Sequence, residues 1–93
     1  MGRHIRAEII VNGLVQGVGF RYFVFSKAQA LHVTGYVRNL YTGEVQSVIE
    51  GEQFEVKELI EHIKIGPFGA HVNKFTINWG EASGEFTQFG IRY

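Results

Sequence analysis

The chain has no cysteine, no aspartate and a single proline, and its basic and acidic residues balance at nine each. Without cysteine there is no disulfide, thiolate nucleophile, iron–sulfur cluster or cysteine-ligated zinc. The disulfide scaffold on which many small secreted domains depend is also ruled out. Without aspartate there is no aspartyl-phosphate intermediate and no Asp-rich magnesium site. A zero formal net charge leaves no electrostatic footprint for nucleic acid or an anionic membrane. No apolar run approaches membrane-spanning length and no apolar leader precedes a cleavage site, so the expected location is cytoplasmic.

What is present suffices for a core. Of 93 residues, 45% are hydrophobic and 19% charged, the balance of one globular domain over residues 1–93 rather than a disordered chain. Alternation of Ile5, Ala7, Ile9 and Val11 predicts a strand over 5–11, followed by a glycine-rich turn over 12–19. Phe20, Phe23, Val24, Ala28 and Leu31 recur at helical spacing and predict a helix over 20–32, although Lys27 interrupts the stripe. Strands follow over 34–40 and 44–50, separated by the Thr42-Gly43 turn. Val56, Leu59, Ile60 and Ile63 line one face of a second helix over 54–65, which Gly66-Pro67 stops. Phe75, Ile77 and Trp79 alternate along a fourth strand, with Val72 out of phase and therefore beyond a bulge. Residues 89–93 add a short last strand. The order βαββαβ predicts an α+β, ferredoxin-like sandwich: one antiparallel sheet with both helices on one face.

The segment Gly13-Leu14-Val15-Gln16-Gly17-Val18-Gly19-Phe20-Arg21 lies between a strand and a helix. Free backbone N–H groups and the positive end of a helix dipole favour an anion there. The Walker pattern fails because no Gly-Lys-Ser/Thr follows, and the dinucleotide pattern fails because Tyr22 stands where its last glycine belongs. Arg21, in the first helical turn, opposes the dipole by roughly 0.3–1 kcal/mol. Two readings stay open on these residues alone. Either a bound dianion relieves the conflict, with Arg21 offering a fork of donors, or a tight turn is followed by a solvated arginine.

Asn39 ends the second strand, where Asn is depleted. The proposed topology runs strands one and two the same way with strand three between them. Their ends then lie about 10 Å apart on one edge of the sheet, which brings Asn39 beside the loop and Arg21. On sequence alone an Asn capping its own hairpin turn is favoured. Arg38 should face the other way from Asn39.

Val11-x-Gly13-x-Val15-Gln16-Gly17-Val18-x-Phe20-Arg21 resembles the first acylphosphatase signature at every specified position. Gly35-Tyr36-Val37-Arg38-Asn39, with Gly43, Val45 and Gly51 at their spacings, resembles the second. Length and element order resemble that family along the whole chain. The resemblance implies a ferredoxin-like hydrolase of acyl phosphates such as acetyl, carbamoyl and 1,3-bisphosphoglycerate types, with no metal or cofactor. It implies a phosphate cradle of backbone amides at Gln16, Gly17, Val18, Gly19 and Phe20, Arg21 on the phosphoryl group, and Asn39 holding the attacking water. The expected partner is a small-molecule acyl phosphate, with no nucleic acid or membrane, and the expected state is a monomer.

Other residues read as structural. His4, His32, His62 and His71 are scattered, the glutamates over 52–61 form a solvated helix face, and Ser26 has no visible triad partner. Phe68, Phe75 and Trp79 read as core. The carboxylate at Tyr93 is expected to pair with Arg21 if the last strand reaches the loop. A non-hydrolytic module that binds acyl or carbamoyl phosphate is the first rival, and the absence of anything appended to the 93 residues is read in favour of the free enzyme. An RNA-binding ferredoxin-like domain is rejected because the strand over 44–50 has no aromatic residue and is acidic at both ends.

Overall fold

The computed structural model describes residues 3–93. Seven elements follow in order: β1 His4–Leu14, α1 Phe20–Ala30, β2 Thr34–Asn39, β3 Val45–Glu52, α2 Gln53–Ile65, β4 His71–Glu81 and β5 Phe89–Arg92. The strands form one sheet in the order β4-β1-β3-β2-β5. Alternation in β1 sends Ala7, Ile9 and Val11 into the core with Val45 and Ile49 of β3. Val24 and Ala28 of α1 and Val56, Leu59, Ile60 and Ile63 of α2 close that core from one side. The architecture is the expected ferredoxin-like α+β sandwich. The bulge is there too: the register between β1 and β4 slips at Asn12/Gly13, so that Val72 pairs with Gly13 and Asn73 is the extra residue.

One expectation is corrected. The sheet is mixed, because β5 pairs parallel to β2. β4 and β5 occupy opposite edges of the sheet, about four strand spacings or roughly 19 Å apart. The connection over 82–88 is long enough to cross that distance, since eight residue steps reach about 27 Å when extended. It crosses over the face that carries no helices. There the Ser83 and Gly84 N–H groups bond the Glu50 carboxylate at 2.9 and 3.0 Å, and Phe86 stands edge-on to Tyr36 at 5.9 Å. A chain that leaves the far end of β4 and crosses before pairing must run back along β2 in the same direction.

The aromatic residues of β4 are also corrected. Phe75, Ile77 and Trp79 do face the helix side, paired with Val11, Ile9 and Ala7. However, β4 is an edge strand that α2 covers only in part, so Trp79 is 54% exposed, and Phe68, in the turn before β4, lies fully outside the core. Phe75 takes the Lys64 ammonium 4.8 Å from its ring centre instead of packing inside.

Candidate active site

The loop between β1 and α1 is anchored at both ends by apolar side chains: Val15 is buried and so is Phe20, which meets Phe23 edge-on at 6.3 Å. Between them the Gln16 side chain donates from Nε2 to the Leu40 and Glu44 carbonyls at 2.7 and 2.9 Å. Gln16 thus ties the loop to the β2–β3 turn, which stands at the same end of the sheet. Gly17 and Gly19 both take a φ of 77°, and Gly19 is the left-handed N-cap of α1. A Cβ at either position would meet nothing within 4 Å. The backbone conformation, not crowding, asks for glycine there.

The start of α1 has no side-chain cap and no acidic residue in its first turn. The Phe23 N–H bonds back to the Gly19 carbonyl at 3.0 Å, so the N–H groups before it have no acceptor within the helix. They face outward as donors at the positive end of the dipole. Arg21 sits among them, half-buried. Among the described residues its guanidinium joins no ion pair, and the pairing expected with the Tyr93 carboxylate is not formed. Instead the Tyr93 ring lies against the guanidinium, 4.8 Å from ring centre to Cζ. A cation held by its face on a ring keeps its N–H edges free for an anion.

Asn39 is the last residue of β2 and pairs with Val45. The turn beyond it is closed without its help: Leu40 N–H bonds Glu44 O at 2.8 Å and Gly43 N–H bonds Leu40 O at 3.1 Å. Among the described residues no side-chain hydrogen bond engages the Asn39 amide, which leaves it open to a ligand or water. Arg38 lies on the opposite face and donates from Nε to Gln46 at 2.7 Å.

These groups share one cavity of about 240 Å³, lined by Gly17, Gly19, Phe20, Arg21 and Asn39 among others. Gln16 and Val18 do not line it; Val18 packs against the core and Gln16 braces the loop from behind. The sequence reading missed this bracing role, together with Tyr22, Ile91 and the Tyr93 ring, which also line the cavity. The available signal for the last two was alternation, because Phe89, Ile91 and Tyr93 share a face at a period of two. Among the described residues, no group of three or more His, Asp or Glu side chains is placed to hold a metal ion.

The family model for acylphosphatase matches residues 7–91. An acylphosphatase from Moorella thermoacetica is 48% identical over 88 residues, which cover 95% of this chain and 94% of that protein. Among solved structures, the acylphosphatase from Bacillus subtilis superposes with a TM-score of 0.92 at 32% identity, covering 96% of this chain and 99% of that one. Full-length HypF in a phosphate- and nucleotide-bound form matches with a TM-score of 0.90 at 31% identity, over all of this chain but only 12% of its own.

Proposed function

The chain belongs to the acylphosphatase family, and from that premise we propose that it hydrolyses acyl phosphates by in-line attack of water without a metal. The observation that carries this reading is the meeting of Arg21, the uncapped start of α1 and Asn39 on one cavity. Arg21 and the backbone N–H groups of the loop and first turn hold the equatorial phosphoryl oxygens. Asn39 orients the water on the axis opposite the leaving carboxylate. The water oxygen bonds to phosphorus, the bond from phosphorus to the acyl oxygen breaks, and the carboxylate leaves with the electron pair.

The transition state of phosphoryl transfer is loose, so positioning and charge stabilisation carry most of the rate. A carboxylate leaving group has a conjugate acid of pKa roughly 4–5 and needs no general acid. Asn39 is no base; the proton of the attacking water passes to a phosphate oxygen of the substrate itself. The substrate is a small molecule rather than nucleic acid, which the zero net charge supports. A monomer acting in the cytoplasm belongs to the same proposal.

The test is hydrolysis of benzoyl phosphate in EDTA by wild type, Arg21→Gln and Asn39→Ala, with folding checked by circular dichroism. Each variant is expected to lose roughly 10²- to 10³-fold in kcat, the usual effect of removing one preorganised donor. Loss of wild-type activity in EDTA would overturn the metal-free mechanism, and an unharmed variant would overturn that residue's role. Phosphate binding without turnover would support a binding module, a reading that the match to part of HypF keeps in view.

A further inference from the structure

The edge of the sheet away from the catalytic cavity carries an open groove. Among the described residues β4 pairs with β1 on one side and with no strand on the other. Along its eleven residues, alternate N–H and C=O groups therefore point outward without a protein partner. No proline interrupts the strand, and from Lys74 to Glu81 its register with β1 is unbroken. Trp79 stands between this edge and α2, 54% exposed, with a cleft on either side. One, of about 370 Å³, is lined by Arg3, Ile5 and Lys57 among others. The other, of about 200 Å³, is lined by Lys57, Glu61, Lys64 and Ile77 among others. Phe75 continues the apolar row at a period of two and is 39% exposed.

Charge narrows the choice of occupant. Among the described residues, Arg3, Lys57 and Lys64 line the two clefts against one carboxylate, Glu61, which Lys64 engages at 3.2 Å. Arg3 and Lys57 join no ion pair there, and Glu81 at the end of β4 lines neither cleft. The whole chain is neutral, so this positive excess is local and complements an acidic partner. A second copy of the chain fits poorly. Antiparallel pairing of two β4 strands about Ile77 would set Phe75 against the second copy's Trp79. Lys64, whose ammonium lies 4.8 Å from the Phe75 ring centre, would then approach the Lys57 beside that tryptophan, like charge on like. Nucleic acid would answer the charge and the ring but leave the outward backbone groups of β4 unpaired.

We propose that this groove docks an extended, acidic peptide segment of another protein. The segment adds as a strand to β4, seats apolar side chains beside Trp79 and turns carboxylates to Arg3, Lys57 and Lys64. Backbone hydrogen bonds along the edge hold it, and the exposed tryptophan is the anchor. None of these residues lines the catalytic cavity, which lies towards the opposite edge of the sheet, so the docked segment leaves that cavity open.

The probe is a fluorescein-labelled peptide in which valine and glutamate take turns at every second position with threonine between, so that both face the groove together. Fluorescence anisotropy with the full chain should show binding that weakens as salt rises. Lysine in place of glutamate, or N-methylation of the peptide backbone, should abolish it. Trp79→Ala and Lys57→Glu should each weaken binding by roughly tenfold or more. Both side chains are exposed, so circular dichroism should show the fold retained in each variant. No binding at millimolar peptide, or binding that neither substitution moves, overturns the proposal. A stronger response to a single-stranded oligonucleotide overturns it in favour of nucleic acid. A wild-type dimer in sedimentation that Trp79→Ala dissolves overturns it in favour of a second copy.

Discussion

Glu50→Gln is expected to destabilise the protein strongly at neutral pH and hardly at all in acid. Glu50 lies on the face of β3 away from the helices and is only 3% exposed. Burial alone would push its carboxyl up. That effect is outweighed by the Ser83 N–H at 2.9 Å, the Arg6 guanidinium at 2.7 Å, the Ser83 hydroxyl at 2.8 Å and the Gly84 N–H at 3.0 Å. Together they bring the carboxyl from an ordinary 4.5 down to about 2. A carboxyl held that low in the folded state contributes on the order of 3 kcal/mol at pH 7.

The direction follows from linkage. The folded protein binds this proton less readily than the unfolded chain, so the contribution is complete above pH 4.5 and disappears as the pH falls towards about 2. Urea unfolding of wild type and Glu50→Gln, followed by circular dichroism from pH 7 down to the acid limit, reads the difference directly. The gap in unfolding free energy should be on the order of 3 kcal/mol at pH 7 and should close between about pH 4.5 and 2. A gap that stays constant across the range would falsify the electrostatic account, because lost packing and neutral hydrogen bonds do not titrate. The outcome bears on function as well, since the segment this carboxylate holds leads directly into β5 and the Ile91–Tyr93 wall of the cavity.

Gln16→Ala should raise KM for benzoyl phosphate more than it lowers kcat, because the lost side chain ties the loop to the Leu40 and Glu44 carbonyls without lining the cavity. Steady-state kinetics reads that split, and unfolding should show a loss of about 1–2 kcal/mol for two hydrogen bonds. Gly19→Ala meets no steric obstacle yet must hold a φ of 77°, so it should cost roughly 1–2 kcal/mol through backbone strain alone. The melting temperature is expected to fall by about 4–8 °C for each kcal/mol; an unchanged melting temperature would mean that the loop relaxes to another conformation.

The parts of the site visible in the sequence were those whose chemistry is local. The glycines, the helix start and Arg21 occupy nine consecutive positions, 13–21, so their order along the chain already states that amides and a guanidinium converge. Asn39 needed one further step, the topology, and the hydrophobic periods supplied it because each element buries one face. The edge aromatics were misread for a related reason: alternation tells which face Phe75 and Trp79 take, but not that β4 is an edge strand that α2 covers only in part.

The β5 wall was out of reach for a different cause. Its position depends on the connection over 82–88 crossing the sheet, and that path is held by contacts between residues 33 and 34 positions apart. Such partners leave no periodic trace. For the path of that connection, as distinct from the alternation within β5, the trace available was Glu50 itself, an acid between Ile49 and Gly51 in a strand otherwise apolar at its centre. A carboxylate there must find donors or stay protonated. The donors come from a segment that has no regular structure of its own, so the parallel β5 and the Tyr93 ring on Arg21 follow from a side chain whose partners only the fold reveals.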